Sequence, residues 1–403
     1  MKFMGKLDKI DAIGFILVLL IVYSIVKEIP ILTSLLISCS FIFTILLYVW
    51  KLINNKIDNS LNILMLFNVL IVFINITLSG FGGFDYYKKA IMYVCTLLLL
   101  VYNCNARVSR KTVYCLIFTN VIIGILYLVS YKQGFDVYQG EYLLTLNFTN
   151  PNQAGMYVFT TLLYLILSIE SIVGSYKKFM VLIALALLIP LSLFLYNILT
   201  FTGCRSAIMA VYLFIILSVY DYIRGGKKWM KKWMITLISV LPFIFVFIYI
   251  MFASSVTIDV SFGIENAGKS VMTRQSIWAP IVNDFFHYFL FGDYYGISNG
   301  TGVSQMHNTH LDVYASYGII ALIIYIMLLR HVLWKTYVNT SSRYQRLAFY
   351  AFIASMVIGT FEASYVAGSG GLFILTNGYI LLANSNINEG LTGKLCISKR
   401  QYR

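Results

Sequence analysis

Long uninterrupted apolar runs dominate the chain. They recur at roughly the 20-residue length that an α-helix needs to cross a hydrocarbon core. About 12 such spans are predicted, near 10–26, 31–50, 61–79, 89–102, 112–131, 153–169, 179–199, 206–223, 234–253, 312–334, 347–362 and 370–384. Pro190 and Pro242 fall inside the seventh and ninth spans and are expected to kink them. The tenth opens with Asp312 in its first turn, better read as a cap than as a partner of a nearby histidine, and ends near Arg330. The stretch Leu347 to Ala383 is apolar except for Glu362 and a glycine-rich hinge, Gly368-Ser369-Gly370-Gly371. Two spans there, rather than one, keep Lys394, Lys399, Arg400 and Arg403 on the side of the other basic loops.

The polar intervals are short with one exception, 254–311, which forms a large loop between the ninth and tenth spans. Long ordered connections tend to carry function. After Ser270 this loop predicts an amphipathic helix with Ile277, Trp278, Ile281, Val282 and Phe285 on one side, kinked or restarted by Pro280. The run Phe285-Phe286-His287-Tyr288-Phe289-Leu290-Phe291 is aromatic enough to lie in a membrane interface. A second connection, between Tyr131 and Gln153, holds Lys132, Asp136, Glu141 and the turn Asn150-Pro151-Asn152. The fold class expected is therefore all-α: one integral membrane domain over residues 1–403, with the large loop containing short helices.

Composition agrees with this pattern. The chain has 403 residues, of which 60% are hydrophobic and 11% charged, where a soluble chain carries about a quarter charged. No small-residue cleavage site follows the first span, so no cleavable signal peptide is expected. The cysteines Cys39, Cys95, Cys104, Cys115, Cys204 and Cys396 show neither CxxC pairing nor metal-ligand spacing and are expected as free thiols.

The net charge of +14 raises nucleic acid or acidic lipid as partners. Its distribution gives a plainer reason. With a cytoplasmic N-terminus, only Lys27, Lys88, Lys89, Lys132, Arg205, Lys269 and Arg274 of the 30 basic residues fall outside. Both termini are then cytoplasmic and 254–311 is extracytoplasmic. The densest basic stretch, Arg224-Gly225-Gly226-Lys227-Lys228 with Lys231-Lys232, reads as a topology determinant to which acidic-lipid contact can add. Nucleic acid is excluded.

On that external side lie the candidate chemical groups. Arg205 opens the eighth span at Thr202-Gly203-Cys204-Arg205-Ser206. A helix N-terminus already carries partial positive charge, so an arginine there gains when an anion such as phosphate joins it. Arg274 precedes the Trp278 helix, and two arginines on one face suit a diphosphate because guanidinium binds phosphate oxygens bidentately. A neutral His307 beside such a group is a reasonable base for a hydroxyl nucleophile. His307 and His310 stand three apart, yet no third ligand completes a metal site, so none is expected. His287 reads as interfacial, His331 as plain surface, and Lys88 and Lys89 as headgroup anchors beside Tyr86 and Tyr87. Glu362 is left open, either as an arginine partner or as a group assisting catalysis. No Walker loop, nucleotide-sugar site or serine nucleophile elbow is present, so an activated lipid donor is the remaining source of synthetic energy.

These residues resemble the superfamily of O-antigen ligases and Wzy-type O-antigen or capsular polysaccharide polymerases. The resemblance rests on Thr202-Gly203-Cys204-Arg205-Ser206, Arg274-Gln275-Ser276-Ile277-Trp278, His307-Asn308-Thr309-His310-Leu311 followed by Gly318-Ile319, and Asn150-Pro151-Asn152. It covers about residues 130–340. It implies a cofactor- and metal-independent glycosyltransferase of the bacterial cytoplasmic membrane, acting on undecaprenyl-diphosphate-linked glycans as donor and acceptor. Arg205, Arg274 and His307 are then catalytic, the arginines holding the diphosphate and His307 activating the acceptor hydroxyl. Asn308, His310, Asn152 and Ser206 join as substrate-binding residues, with a chain-length regulator and a flippase as further partners. A polymerase is the first expectation, a ligase with another acceptor such as lipid A core the second. A lipid-oligosaccharide transporter is disfavoured, because polar residues gather at one face rather than at mid-membrane.

Overall fold

The computed structural model of the chain describes residues 59–78, 84–105, 110–131, 135–138, 141–173 without 147 and 149, 178–255, 267–293, 306–362 and 370–385. A few single residues between 42 and 53 are also described. In chain order these form α1 (Asn59–Leu78), α2 (Phe84–Asn105), α3 (Arg110–Ser130), a hairpin of β1 (Phe135–Tyr138) and β2 (Glu141–Leu144), and α4 (Pro151–Val173). There follow α5 (Lys178–Phe201), α6 (Arg205–Ile223), α7 (Lys232–Ser255), α8 (Ala267–Asn283), α9 (Thr309–Asn339), α10 (Arg343–Phe361) and α11 (Gly370–Ala383).

The protein is a helical membrane protein, but the sequence expectation of about 12 spans exceeds what the described residues support. Five helices are long and apolar enough to cross a bilayer: Pro151–Val173, Val181–Phe201, Arg205–Ile223, Lys232–Phe252 and Thr309–Asn339. Shorter apolar helices cover Asn59–Asn75, Lys89–Asn105 and Phe118–Ser130. The span expected at 10–26, and most of that at 31–50, lie outside the described residues. The C-terminal apolar stretch divides into two helices, α10 ending at Phe361 and α11 opening inside the predicted glycine hinge at Gly370. The hairpin, paired from Phe135 opposite Leu144 to Tyr138 opposite Glu141, departs from the all-α expectation.

Burial separates the centre of the bundle from its rim. The apolar windows of α4 and α9 are both 72% buried, whereas those of α5 and α7 are 17% and 28% buried. The outer helices therefore present leucine, isoleucine and phenylalanine to their surroundings, as lipid-facing helices do. α6 packs against α10, α10 against α11, and α9 against α1 and α7. The loop helix expected after Ser270 is α8. It continues through Pro280 to Asn283 and buries Ile277, Trp278 and Ile281.

The expected continuous span 312–334 begins three residues earlier and breaks at Gly318, whose φ of 80° and ψ of 179° are not helical. Accounting for backbone partners explains the break. Residues 284–293 are inserted beside it: the Asp293 N–H donates to the Ala315 carbonyl (2.8 Å), and the Ile319 N–H donates to the Phe289 carbonyl (2.8 Å). Both bonds replace links of the helical ladder. A side chain at position 318 would collide with the Leu290 carbonyl, so only glycine fits both the left-handed backbone and the close approach. α9 is thus a short piece, 309–317, joined to a longer one.

Candidate functional site

The site grows from the C-terminal end of α10. Phe361 closes that helix, and Glu362, in extended conformation, caps it with its N–H bonded to the Ile358 carbonyl. Its carboxylate receives Arg274 Nη2 on Oε1 (2.9 Å) and meets His307 Nδ1 at Oε2 (2.9 Å). Arg274 Nε also donates to the Phe361 carbonyl (3.1 Å), and its guanidinium lies over the Phe361 ring. As the carboxylate of an arginine ion pair, Glu362 accepts only. His307 Nδ1 is therefore the donor, and in the neutral imidazole Nε2 carries the lone pair. The His307 side chain is 35% exposed against 10% for Glu362, so a ligand reaches the imidazole before the carboxylate.

Local structure fixes these groups. Trp278 on α8 donates Nε1–H to the Met306 carbonyl (2.6 Å), tying the Arg274 helix to the residue before His307. His307 itself adopts φ 48°, a left-handed conformation uncommon for a residue with a side chain. Asn308 then caps α9, its Oδ1 accepting from the Leu311 N–H (2.9 Å). Its Nδ2 donates to the Pro242 carbonyl (3.0 Å) and the Thr360 carbonyl (2.8 Å), so one side chain joins α7, α9 and α10.

The Thr202–Ser206 step lies beside this group. α5 ends at Phe201, Gly203 turns the chain at φ 66°, and Cys204 is the N-cap residue of α6, without a side-chain cap bond. A Cβ at Gly155 would collide with Cys204 and stand 2.7 Å from Thr202 Oγ1. That close approach brings the first turns of α4 onto the step. Burial pushes the Cys204 thiol up to about 11; contacts from Ser206 and Ala207 lower it, the Glu362 charge raises it and the Arg274 charge lowers it. α6 packs along α10, and Asp221 near the end of α6 bonds Arg346 at the start of α10, so the two run antiparallel and the start of α6 lies toward the Glu362 end of α10. Arg205 is half-buried and, among the described residues, has no hydrogen-bond or ion-pair partner.

The remaining predicted residues divide. Asn152 is half-buried in the first turn of α4, its N–H bonded to Asn150 Oδ1 (2.8 Å) in a local turn. Ser206 is buried, 3.6 Å from Cys204 Sγ. Asn308 and His310, expected to touch substrate, are buried at 0% and 2% exposure and serve helix packing. His310 Nε2 faces the Ser239 carbonyl (2.8 Å) and so turns away from His307. Among the described residues no three His, Cys, Asp or Glu side chains cluster as metal ligands.

Two expectations are corrected. Lys89 is no headgroup anchor: it is buried, and its Nζ bonds Asp312 Oδ1 (2.9 Å) and Ser316 Oγ (3.4 Å). Asp312 accordingly is not the cap of α9, a role Asn308 fills, but one half of a buried ion pair between α2 and α9. The side chain of Lys88 lies outside the described residues. The pairing of Glu362 with Arg274 and His307 was foreshadowed in sequence only by a lone carboxylate at the end of an apolar stretch, where a carboxylate is costly without a partner. Comparison with protein-family models, with curated proteins and with solved structures finds no match to this chain.

Proposed function

We propose that the chain is a membrane glycosyltransferase. In this reading it polymerises undecaprenyl-diphosphate-linked oligosaccharide repeats into surface polysaccharide, outside the cytoplasmic membrane. The observation that carries the reading is the Arg274–Glu362–His307 relay beside Arg205, whose guanidinium has no partner among the described residues. Its support from sequence is the resemblance to the O-antigen ligase and polymerase superfamily, together with the bias of lysine and arginine toward the other side.

Arg205 holds the donor diphosphate at the N-terminus of α6, where backbone amides add partial positive charge. His307 Nε2 takes the proton of an acceptor hydroxyl as that oxygen attacks the anomeric carbon of the donor sugar. The bond from that carbon to the diphosphate oxygen breaks, and undecaprenyl diphosphate leaves with the electron pair. Glu362 stabilises the imidazolium so formed, as a carboxylate behind a histidine does. Arg274 was expected to hold diphosphate directly. With Nε and Nη2 engaged by α10, its first task becomes fixing Glu362, and its charge supports the leaving group from there.

The test is a reaction with the purified full chain and lipid-linked repeat units as the only substrate. A ladder of lengthening glycans is expected. Product formed only after a second acceptor such as lipid A core is added makes the protein a ligase. Movement of the lipid across a vesicle without new glycosidic bonds makes it a transporter and overturns the reading.

A further inference from the structure

We infer that the end of the bundle opposite His307 carries a preorganised site for anionic phospholipid headgroups, built on the loop between α6 and α7. Arg224, Lys227, Lys228, Lys231 and Lys232 are all exposed there. Beside them, Tyr222, Ile223 and Trp233 are 70%, 72% and 61% exposed at the ends of two bilayer-length helices. Apolar and aromatic side chains next to a cluster of cations match an acyl chain below a phosphate, which a soluble anion would not require. Arg343 of α10 adds a further cation, its guanidinium 5.5 Å from the Tyr222 ring. The acidic groups nearby are Glu170, 3.6 Å from Arg343, and Asp221, which is buried and committed elsewhere.

What distinguishes this loop from an ordinary solvated basic segment is that it is held. Tyr337 Oη of α9 accepts the backbone N–H of both Trp229 (2.6 Å) and Met230 (2.9 Å). Trp229 Nε1 donates to Tyr350 Oη (3.1 Å), which donates to Asp221 Oδ1 (2.9 Å). Arg346 closes the network on Asp221 and lies against Gly226, whose φ of 72° brings the loop over the guanidinium. Lys228 Nζ donates to the Val338 carbonyl. Burial first, and the Arg346 charge second, lower the Lys228 ammonium below the usual lysine range. The loop backbone that carries these cations is therefore fixed before any ligand arrives, which cuts the ordering cost of binding. The site is independent of the proposed reaction.

The experiment titrates short-chain phosphatidylglycerol into the purified full chain in neutral detergent and reads binding by calorimetry. Short-chain phosphatidylcholine and glycerol phosphate are parallel arms. Saturable binding of phosphatidylglycerol alone is expected. Lys227→Gln, Lys231→Gln and Lys232→Gln, all exposed, should each weaken it about fivefold. Tyr337→Phe removes no charge but frees two loop amides, and should weaken binding while the variant elutes as a folded protein. Equal binding of phosphatidylcholine overturns the charge recognition. Equal binding of glycerol phosphate makes this a soluble-anion site and overturns the lipid assignment. Unchanged affinity in Tyr337→Phe overturns preorganisation. Should Tyr337→Phe fail to fold, Gly226→Ala, which displaces the loop from Arg346, decides the same question.

Discussion

The two ends of α6 make opposite uses of an arginine. At one end Arg205 stands half-buried with no partner among the described residues. About 24 Å away along the helix, Asp221 takes Arg346 Nε (2.8 Å) and Nη2 (3.2 Å) with both partners almost fully buried. The Asp221 end spends its polar groups on one another: charge meets charge, and Tyr350 and Trp229 complete the bonds. The His307 end leaves Arg205 without a partner among the described residues and holds His307 at φ 48°. Left-handed non-glycine backbone persists where the surroundings enforce it, and such places cluster at functional sites. Buried charge is thus paired within the protein at Asp221, whereas at Arg205 it has no partner among the described residues.

This contrast predicts which measurement each end controls. Arg205→Ala and His307→Ala should each lower glycan transfer by about 10²–10⁴-fold while leaving the melting temperature near that of the parent. Radiolabelled product from lipid-linked donor is the readout; normal chain lengths would remove both residues from the site. Asp221→Asn should do the reverse. It strands a buried guanidinium, and loss of one partner of a buried pair costs about 3–5 kcal/mol. A large fall in thermal stability, with the surviving folded fraction active at the parental rate, is the expected outcome. Retained stability would mean that the pair is wet. Between these lies Gly318→Ala, which forces a side chain into a left-handed position against the Leu290 carbonyl. A residue with a Cβ at φ 80°, ψ 179° costs about 1–3 kcal/mol, before the displacement of residues 284–293 is added. Protease cleavage within 284–293 should rise; an unchanged pattern would show that the break does not depend on glycine.

The Asp221 end and the His307 end were not equally legible. Apolar length alone located most helices, since a bilayer-length run without charges has few other uses. The Arg205, Arg274 and His307 motifs were visible because polar residues at span ends are conspicuous against apolar flanks. What joins them was not visible. Glu362 lies 88 positions from Arg274 and 55 from His307, and no local period connects such residues. Lys89 misled because a lysine pair beside tyrosines has the composition of an interfacial anchor, whereas its partner Asp312 is 223 positions away. The break at Gly318 escaped for a related reason: one glycine in a helical pattern is tolerated, and only the inserted segment shows that this one is required. Asn308 read as a substrate ligand because it adjoins His307, and its three bonds to α7, α9 and α10 became apparent only in the fold.

Cys204 gives the smallest and most local test of the contrast, because its thiol sits between the two arginines' neighbourhoods without carrying charge. Burial raises it from 9.0 to about 11, and Glu362 and Arg274 pull in opposite directions. A thiol raised in the folded state is neutral there while the unfolded chain begins to ionise. Its contribution to stability is therefore complete below about 9 and is lost as pH rises through about 11. Alkylation, which needs the thiolate, should accordingly be slow at neutral pH, with peptide mapping used to separate Cys204 from the other five cysteines. Arg274→Gln removes the one charge that lowers the thiol, so labelling should slow further. Glu362→Gln removes the charge that raises it, so labelling should quicken. Equal rates in both variants would mean that the Thr202–Ser206 step does not lie beside the Arg274–Glu362 pair, and the site would then lose Arg205.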